Sequence, residues 1–216
     1  MQIKICGITR VEEAGYLNEA GVDYAGFVFH EKSKRNVSIQ QTEQIFEKLN
    51  KNIKKVAVMV SPKAATVTTL QKSGFDILQI HGTLSEEVLK AAQKPIWLAV
   101  NISDQDLLEE KMKFLSSLPP EFSSKIKGIV VDSAEYGSGK TFEWDTGRRW
   151  QSSLFENRIF ILAGGLNADN VQTGIRLFLP DVVDVSSGVE ITEGDVTKKN
   201  KIKIKEFTGK VRSYEQ

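Results

Sequence analysis

Cysteine is nearly absent from this chain: Cys6 is the only one in 216 residues. A single thiol cannot close an internal disulfide, so the fold must stand on its packed core, and a reducing cytoplasm is the expected setting. Histidine is almost as scarce. His30 and His81 beside one thiol leave too few ligands for a dedicated Cys/His zinc centre, and no metal is expected. Long hydrophobic runs are missing as well, so no segment reaches the roughly 20 apolar residues that span a bilayer. The opening MQIKICGITR lacks the apolar stretch and small-residue cleavage site of a signal peptide, and export is not expected. Neither charge is in excess: 29 Lys and Arg face 28 Asp and Glu, a formal net charge of +1. Such a chain has no global field for a polyanion, and nucleic acid is not an expected partner. A flexible linker and a second domain are also lacking, which predicts one domain over 1–216.

Short β-branched runs recur along the chain, at 3–6, 24–29, 56–60, 77–80, 96–100, 128–131, 159–162 and 182–185. Most are continuously apolar, as parallel strands covered on both faces should be. Helix signals follow nearly every run. Thr9 with Glu12 and Ser38 with Gln41 read as capping boxes, and Ser61 before Pro62 reads as an N-cap followed by a first-turn proline. Ser85, Ser103 and Asn167 are candidate caps for later helices. Apolar residues then fall at helical spacing, as in Val11, Ala14 and Leu17, in Ile45, Phe46 and Leu49, and in Ile202 and Phe207. The sixth helix is expected around 146–154, and the segment 116–124 with Pro119 and Pro120 reads as a surface loop. Eight strand-then-helix units in a chain of this length predict an α/β fold, a single-domain (β/α)8 TIM barrel, rather than an open doubly wound sheet.

In such barrels the active site lies where strands end, so polar residues at those points carry the functional weight. Strand 1 ends in Cys6 and Gly7, strand 2 leads to Ser33, Lys34 and Arg35, and strand 4 leads to His81 and Gly82. Strand 6 leads to Asp132 and Ser133, strand 7 to Gly164 and Gly165, and strand 8 to Ser186, Ser187 and Gly188. The last two turns suit a phosphate held by backbone N–H groups, with plain tight turns as the alternative, so the expected partner is a phosphorylated small molecule.

A lone strand cysteine is ordinarily a core residue. At this strand end, just ahead of a helix, amide dipoles can lower the thiol pKa and make Cys6 a base. Asp132 emerges from an apolar wall that favours its protonated acid, although it can equally cap the next loop. Strands 1 and 6 lie three steps apart around one side of an eight-strand ring and five around the other, so the two side chains can flank a central substrate. Arg35 reads equally as a solvated loop residue or as a fork for a carboxylate. The stretch AEYGSGKT at 134–141 nearly matches a nucleotide-hydrolase phosphate loop. The residues after it, FEWDTGRRW, make a poor helix opening, so a mobile loop closing over the ligand is the expectation.

KICGIT at 4–9, SKR at 33–35, QIHG at 79–82, VDS at 131–133, GSGKTFEW at 137–144, LAGGLN at 162–167 and DVSSGVE at 184–190 occur in this order across nearly the whole chain. Together they resemble the phosphoribosylanthranilate isomerase family. The resemblance implies an Amadori rearrangement in tryptophan biosynthesis that needs no cofactor. It implies that Asp132 protonates the ribose ring oxygen, that Cys6 removes the C2 proton, and that Arg35 holds the anthranilate carboxylate. Gly165, Ser187 and Gly188 become phosphate binders, while His81 stays open between ligand contact and structural tie. Related phosphosugar barrels resemble the chain in the phosphate turns only, and lack a cysteine at the end of strand 1. Lys199-Asn200 departs from the family's usual Lys-Asp, which bears on how the eighth loop is pinned.

Overall fold

The computed structural model describes residues 1–101, 105–132, 157–194 and 196–214. Eight strands form where the apolar runs predict them: β1 (Gln2–Cys6), β2 (Tyr24–Phe29), β3 (Lys54–Val60), β4 (Ile77–His81), β5 (Ile96–Asn101), β6 (Ile126–Asp132), β7 (Ile159–Leu162) and β8 (Val182–Val185). Each pairs in parallel with the next, and β8 returns to β1 through Lys4 opposite Asp184, closing the barrel. Around it lie α1 (Val11–Ala20), α2 (Ile39–Phe46), α3 (Ala64–Lys72), α4 (Glu86–Ala91), α5 (Gln105–Ser117), α6 (Pro120–Ser123), α7 (Val171–Phe178) and α8 (Lys201–Ser213).

Two-residue periodicity divides the core into two shells. Ile3, Ile5, Ala25, Phe27, Ala57 and Met59 point outward and pack against Ala14, Leu17, Ile45 and Val67 of the helices. Val56, Val58, Ala99, Val130, Ile161 and Val182 fill the barrel itself. Burying each large aliphatic side chain stabilises the fold by roughly 1.5–3 kcal/mol, which explains why runs buried on both faces are so uniformly apolar. Trp97 fits inside the barrel edge-on to Tyr24, with ring centroids 4.9 Å apart, because Gly128 has no side chain. A β-carbon there would stand 2.7 Å from the indole Cδ1. Among the described residues no helix is long and apolar enough to cross a membrane.

Several local expectations shift. The first capping residue is Arg10, not Thr9, and the partner is Glu13 rather than Glu12: its Oε2 accepts the N–H groups of Thr9 and Arg10 at 2.8 and 3.2 Å. Ser61 does not cap α3, whose N-cap is Lys63; it sits at φ 44° and accepts the Thr83 N–H instead. Asn167 caps the turn ahead of α7 by accepting from Asp169 and Asn170, and Asn170 is the N-cap proper. The Ser38–Gln41 box and the Ser85 cap form as predicted. The stretch read as a loop around Pro120 holds α6, with proline at a first-turn position where its missing N–H costs nothing. Ile202 is 67% exposed; Ile204, Phe207 and Val211 bury the inner face of α8. After β8 comes an unforeseen antiparallel hairpin, β9 (Glu190–Glu193) and β10 (Val196–Lys199). The expected sixth helix at 146–154, the loop at 134–141, Ser133 and Ser103 lie outside the described residues.

Candidate active site

Period two carries polar side chains into the barrel at its upper end. Cys6 closes β1 opposite Gly26, and Asp132 closes β6 opposite Asn101. Both line one cavity of about 630 Å³, together with Arg35, His81, Gly164, Gly165, Ser186 and Ser187. Gly188 does not line it. Its place is behind the cavity, where a β-carbon would overlap the Leu166 carbonyl oxygen, so it lets the turns after β7 and β8 press together.

Those turns are shaped by backbone conformation. Gly164 and Gly165 both take left-handed angles, φ 89° and 63°, and Asn170 Nδ2 donates to the Gly165 carbonyl at 3.0 Å. Ser187–Val189 winds into a single 3₁₀ turn, and the Ser186 hydroxyl donates to the Cys6 carbonyl at 3.0 Å. Loop 8 and the end of β1 are therefore tied directly.

A buried ionic pair forms at the cavity floor, where Asp184 lines the cavity and Lys4 lies beneath it. Lys4 is fully buried, and its Nζ donates to Asp184 Oδ2 at 2.7 Å. Burial alone would lower the Lys4 pKa, but Asp184 and the neighbouring Cys6 outweigh it and hold the ammonium above its ordinary value. Cys6 shifts opposite to the helix-dipole expectation. Burial pushes its thiol up, with Lys4 the foremost opposing group, and α1 starts five residues further on at Val11. The nearby cation is a lysine, not a helix end.

His81 is buried with its Nε2 2.9 Å from Gln79 Nε2, so the ring nitrogen accepts the amide proton. Burial, and after it the Lys4 charge, push His81 down to about 4, leaving a neutral ring on the cavity wall. Arg35 meets Glu190 as a two-bond fork, Nε on Oε1 at 2.6 Å and Nη2 on Oε2 at 2.7 Å. Lys199 Nζ also holds Glu190 at 2.6 Å and reaches the Ser186 carbonyl at 3.1 Å. Lys199 is pinned in turn by its own N–H to Glu13 Oε1 at 2.9 Å, and Asn200 Oδ1 caps α8 at Lys203, so asparagine serves at the departing position. Among the described residues, no group of three or more His, Cys, Asp or Glu is arranged to hold a metal ion.

Sequence reasoning missed Lys4, Gln79, Asp184 and Glu190, and of Lys199 it held only that Lys199-Asn200 bears on how the eighth loop is pinned. Three carried a usable signal: Lys4, Gln79 and Asp184 each stand two residues before a recognised strand-end residue, which places them one inward step below Cys6, His81 and Ser186.

A closed eight-stranded parallel barrel with its polar side chains gathered in one cavity at the strand ends defines a (β/α)8-barrel enzyme. The family model described as N-(5'-phosphoribosyl)anthranilate (PRA) isomerase matches residues 3–210, and the chain belongs to that family. The N-(5'-phosphoribosyl)anthranilate isomerase of Thermoanaerobacter sp. (strain X514) is 38% identical over 218 residues, covering 98% of each chain. That of Clostridium kluyveri (strain ATCC 8527) is 37% identical over 216 residues, covering 99% of this chain and 98% of its own. Among solved structures, the Thermotoga maritima phosphoribosyl anthranilate isomerase superposes with a TM-score of 0.83 at 30% identity over 99% of both chains. A phosphoribosyl anthranilate isomerase in complex with reduced 1-(o-carboxyphenylamino)-1-deoxyribulose 5-phosphate gives 0.81 at 29% identity, again over 99% of both. The activity is the Amadori rearrangement of N-(5-phosphoribosyl)anthranilate to 1-(o-carboxyphenylamino)-1-deoxyribulose 5-phosphate in tryptophan biosynthesis.

Proposed function

We propose that Cys6 is the base and Asp132 the acid of this rearrangement. The carrying observation is that the two side chains end β1 and β6 and line the same cavity. Asp132 gives its proton to the furanose ring oxygen as the C1–O bond breaks, and the anilino nitrogen lone pair forms the C1=N bond of a Schiff base. The Cys6 thiolate then takes the C2 proton, and the C2–H electron pair moves toward nitrogen to leave an enolamine. Cys6 returns its proton to C1 as the C2 hydroxyl gives its own to Asp132, which yields the ketone and restores both residues. The steps exchange protons between the substrate and the two side chains with no net change of oxidation state, so the reaction needs no redox cofactor.

Arg35 holds the anthranilate carboxylate at the rim. Glu190 occupies its Nε–H and one Nη2–H, leaving the other edge of the guanidinium for the ligand. Amides of Gly164, Gly165, Ser186 and Ser187 hold the phosphate, supported by the left-handed glycines and the short 3₁₀ turn. His81 keeps the wall neutral and hydrogen-bonded, and Gly188 serves packing rather than direct contact. A cytoplasmic setting fits a base that must remain a reduced thiol.

Cys6→Ser and Asp132→Asn test the roles. Each should lower kcat by at least about a hundredfold, while the reduced product analogue still binds. A variant that keeps near-normal kcat removes its residue from the mechanism.

A further inference from the structure

The base stands over a charge that the reaction scheme leaves unused. Lys4 occupies the inward position of β1 immediately below Cys6, is 0% exposed, and does not line the cavity. Its ammonium and the Cys6 sulfur lean against the same point of the neighbouring strand. A β-carbon at Gly26 would sit 2.9 Å from Cys6 Sγ and 3.0 Å from Lys4 Nζ, so β2 is bare where these two atoms converge. From the other side, Asp184 of β8 takes the Lys4 ammonium at 2.7 Å through Oδ2, while its buried Oδ1 has no hydrogen-bond partner among the described residues.

An ammonium is costly to bury, and replacing such a pair by apolar residues of similar volume is often neutral for stability or better. Packing alone therefore gives no reason for a charged pair at this depth. A reason appears in the chemistry above it, because a thiol on a cavity wall must become a thiolate to accept a carbon-bound proton.

Resting on the reading of Cys6 as base, we propose that Lys4 is a positioning residue that favours the thiolate form of Cys6 against its burial, with Asp184 keeping Lys4 charged and offsetting part of its pull on the thiol. Among the described residues, the charged groups that act on the sulfur include Lys4 on the same strand, Asp184 on β8, Lys199 on β10 and Arg35 from the loop after β2. His81 on β4 faces Lys4 and is neutral above about pH 4. Among these, Lys4 opposes the burial of the thiol most strongly, whereas Asp184 acts with burial and against the thiolate. The two members of the pair thus act on the sulfur with opposite sign.

That opposition is what the experiment reads. Cys6 is the only cysteine, so thiolate absorbance and iodoacetamide alkylation against pH report on this sulfur alone in the ligand-free protein. Lys4→Met should move the thiol titration upward by at least one pH unit, a loss of about tenfold in thiolate at a fixed lower pH. Asp184→Asn should move it downward. The double variant Lys4→Met/Asp184→Asn removes both charges, stays foldable where Lys4→Met alone strands a buried carboxylate, and should still shift upward. The acid-side limb of kcat/KM should follow each shift. An unmoved thiol titration in a folded Lys4→Met or double variant overturns the proposal, as does a shift of the same sign in Lys4→Met and Asp184→Asn. If the titrations shift as stated but Cys6→Ser keeps its kcat, the electrostatic role stands and the assignment of Cys6 as base fails.

Discussion

Arg35 and Glu190 lie 155 residues apart in sequence and meet through two charge-assisted hydrogen bonds of 2.6 and 2.7 Å. The carboxylate is nearly buried, with 8% of its side chain exposed, and Lys199 shares it. Burial would raise the Glu190 pKa, but Arg35 and Lys199 overcome that and hold it below the ordinary carboxylate range. At neutral pH the group is therefore a fixed anion that aims the guanidinium across Gly7, where the absence of a β-carbon leaves room for the Arg35 stem. Glu190→Gln keeps the shape and removes the charge. Its KM should rise about tenfold with kcat changed less than about threefold, and Arg35→Ala should raise KM further. Steady-state kinetics on freshly made substrate checks this, and an unchanged KM in Glu190→Gln would leave Arg35 without its orienting partner.

The barrel was legible because its strands are buried on both faces. That condition writes uninterrupted apolar runs such as the one containing Val56, Ala57, Val58 and Met59, and hydrophobicity is what the eye finds first. Cys6 and Asp132 were legible for a related reason, because each stands where its run stops. The ionic layer beneath them was hidden. The inward place of Lys4 follows from the two-residue period, but its partner does not, because the pairing with Asp184 spans 180 residues. Glu190 was hidden because one of its ties runs to Arg35, 155 residues away, and the other crosses a hairpin too short to show more than a weak alternation. The misplaced caps fail more locally. Thr9, Glu12 and Glu13 all suit a first turn, and the one-residue choice is made by Lys199, whose N–H recruits Glu13.

His81 makes stability depend on pH. Its folded pKa is pushed down to about 4 from an ordinary 6.5, so the folded protein refuses a proton that the unfolded chain accepts. Above about pH 6.5 both states carry a neutral ring and nothing is lost. As the pH falls from there toward 4, the unfolded state is favoured progressively, by up to about 3 kcal/mol from this residue. Urea titrations at a series of pH values should show that decline in the wild type and a shallower one in His81→Asn. Parallel curves for the two proteins would mean that His81 does not supply the acid sensitivity.

Gly26 should be intolerant of even one methyl group. An alanine β-carbon would meet Cys6 Sγ at 2.9 Å, Lys4 Nζ at 3.0 Å and the Cys6 α-carbon at 3.1 Å, and the last of these is backbone that cannot rotate away. β1 and β2 must separate or the thiol must turn. Gly26→Ala is expected to lower kcat at least about tenfold and to destabilise the barrel by roughly 1–3 kcal/mol. Kinetics and chemical denaturation on the same preparation decide it, and a kcat within about twofold of wild type would show that the sulfur and ammonium have room to spare.

Gly188 gives the sharpest separation between packing and contact in the proposed phosphate site. Its α-carbon faces the Leu166 carbonyl oxygen so closely that a β-carbon would overlap it, and Leu166 comes directly after the two left-handed glycines of the β7 turn. Gly188→Ala must therefore push the 3₁₀ turn at Ser187–Val189 away from Gly164 and Gly165, spreading the amides proposed to hold the phosphate. Ser187→Ala removes only a hydroxyl and leaves those amides where they are. Inorganic phosphate as a competitive inhibitor reads the difference directly. Its inhibition constant should rise at least about tenfold in Gly188→Ala and change by less than about threefold in Ser187→Ala, with kcat little altered in either. Equal weakening in both variants would mean that the serine side chain, not the joint between the two turns, carries the phosphate.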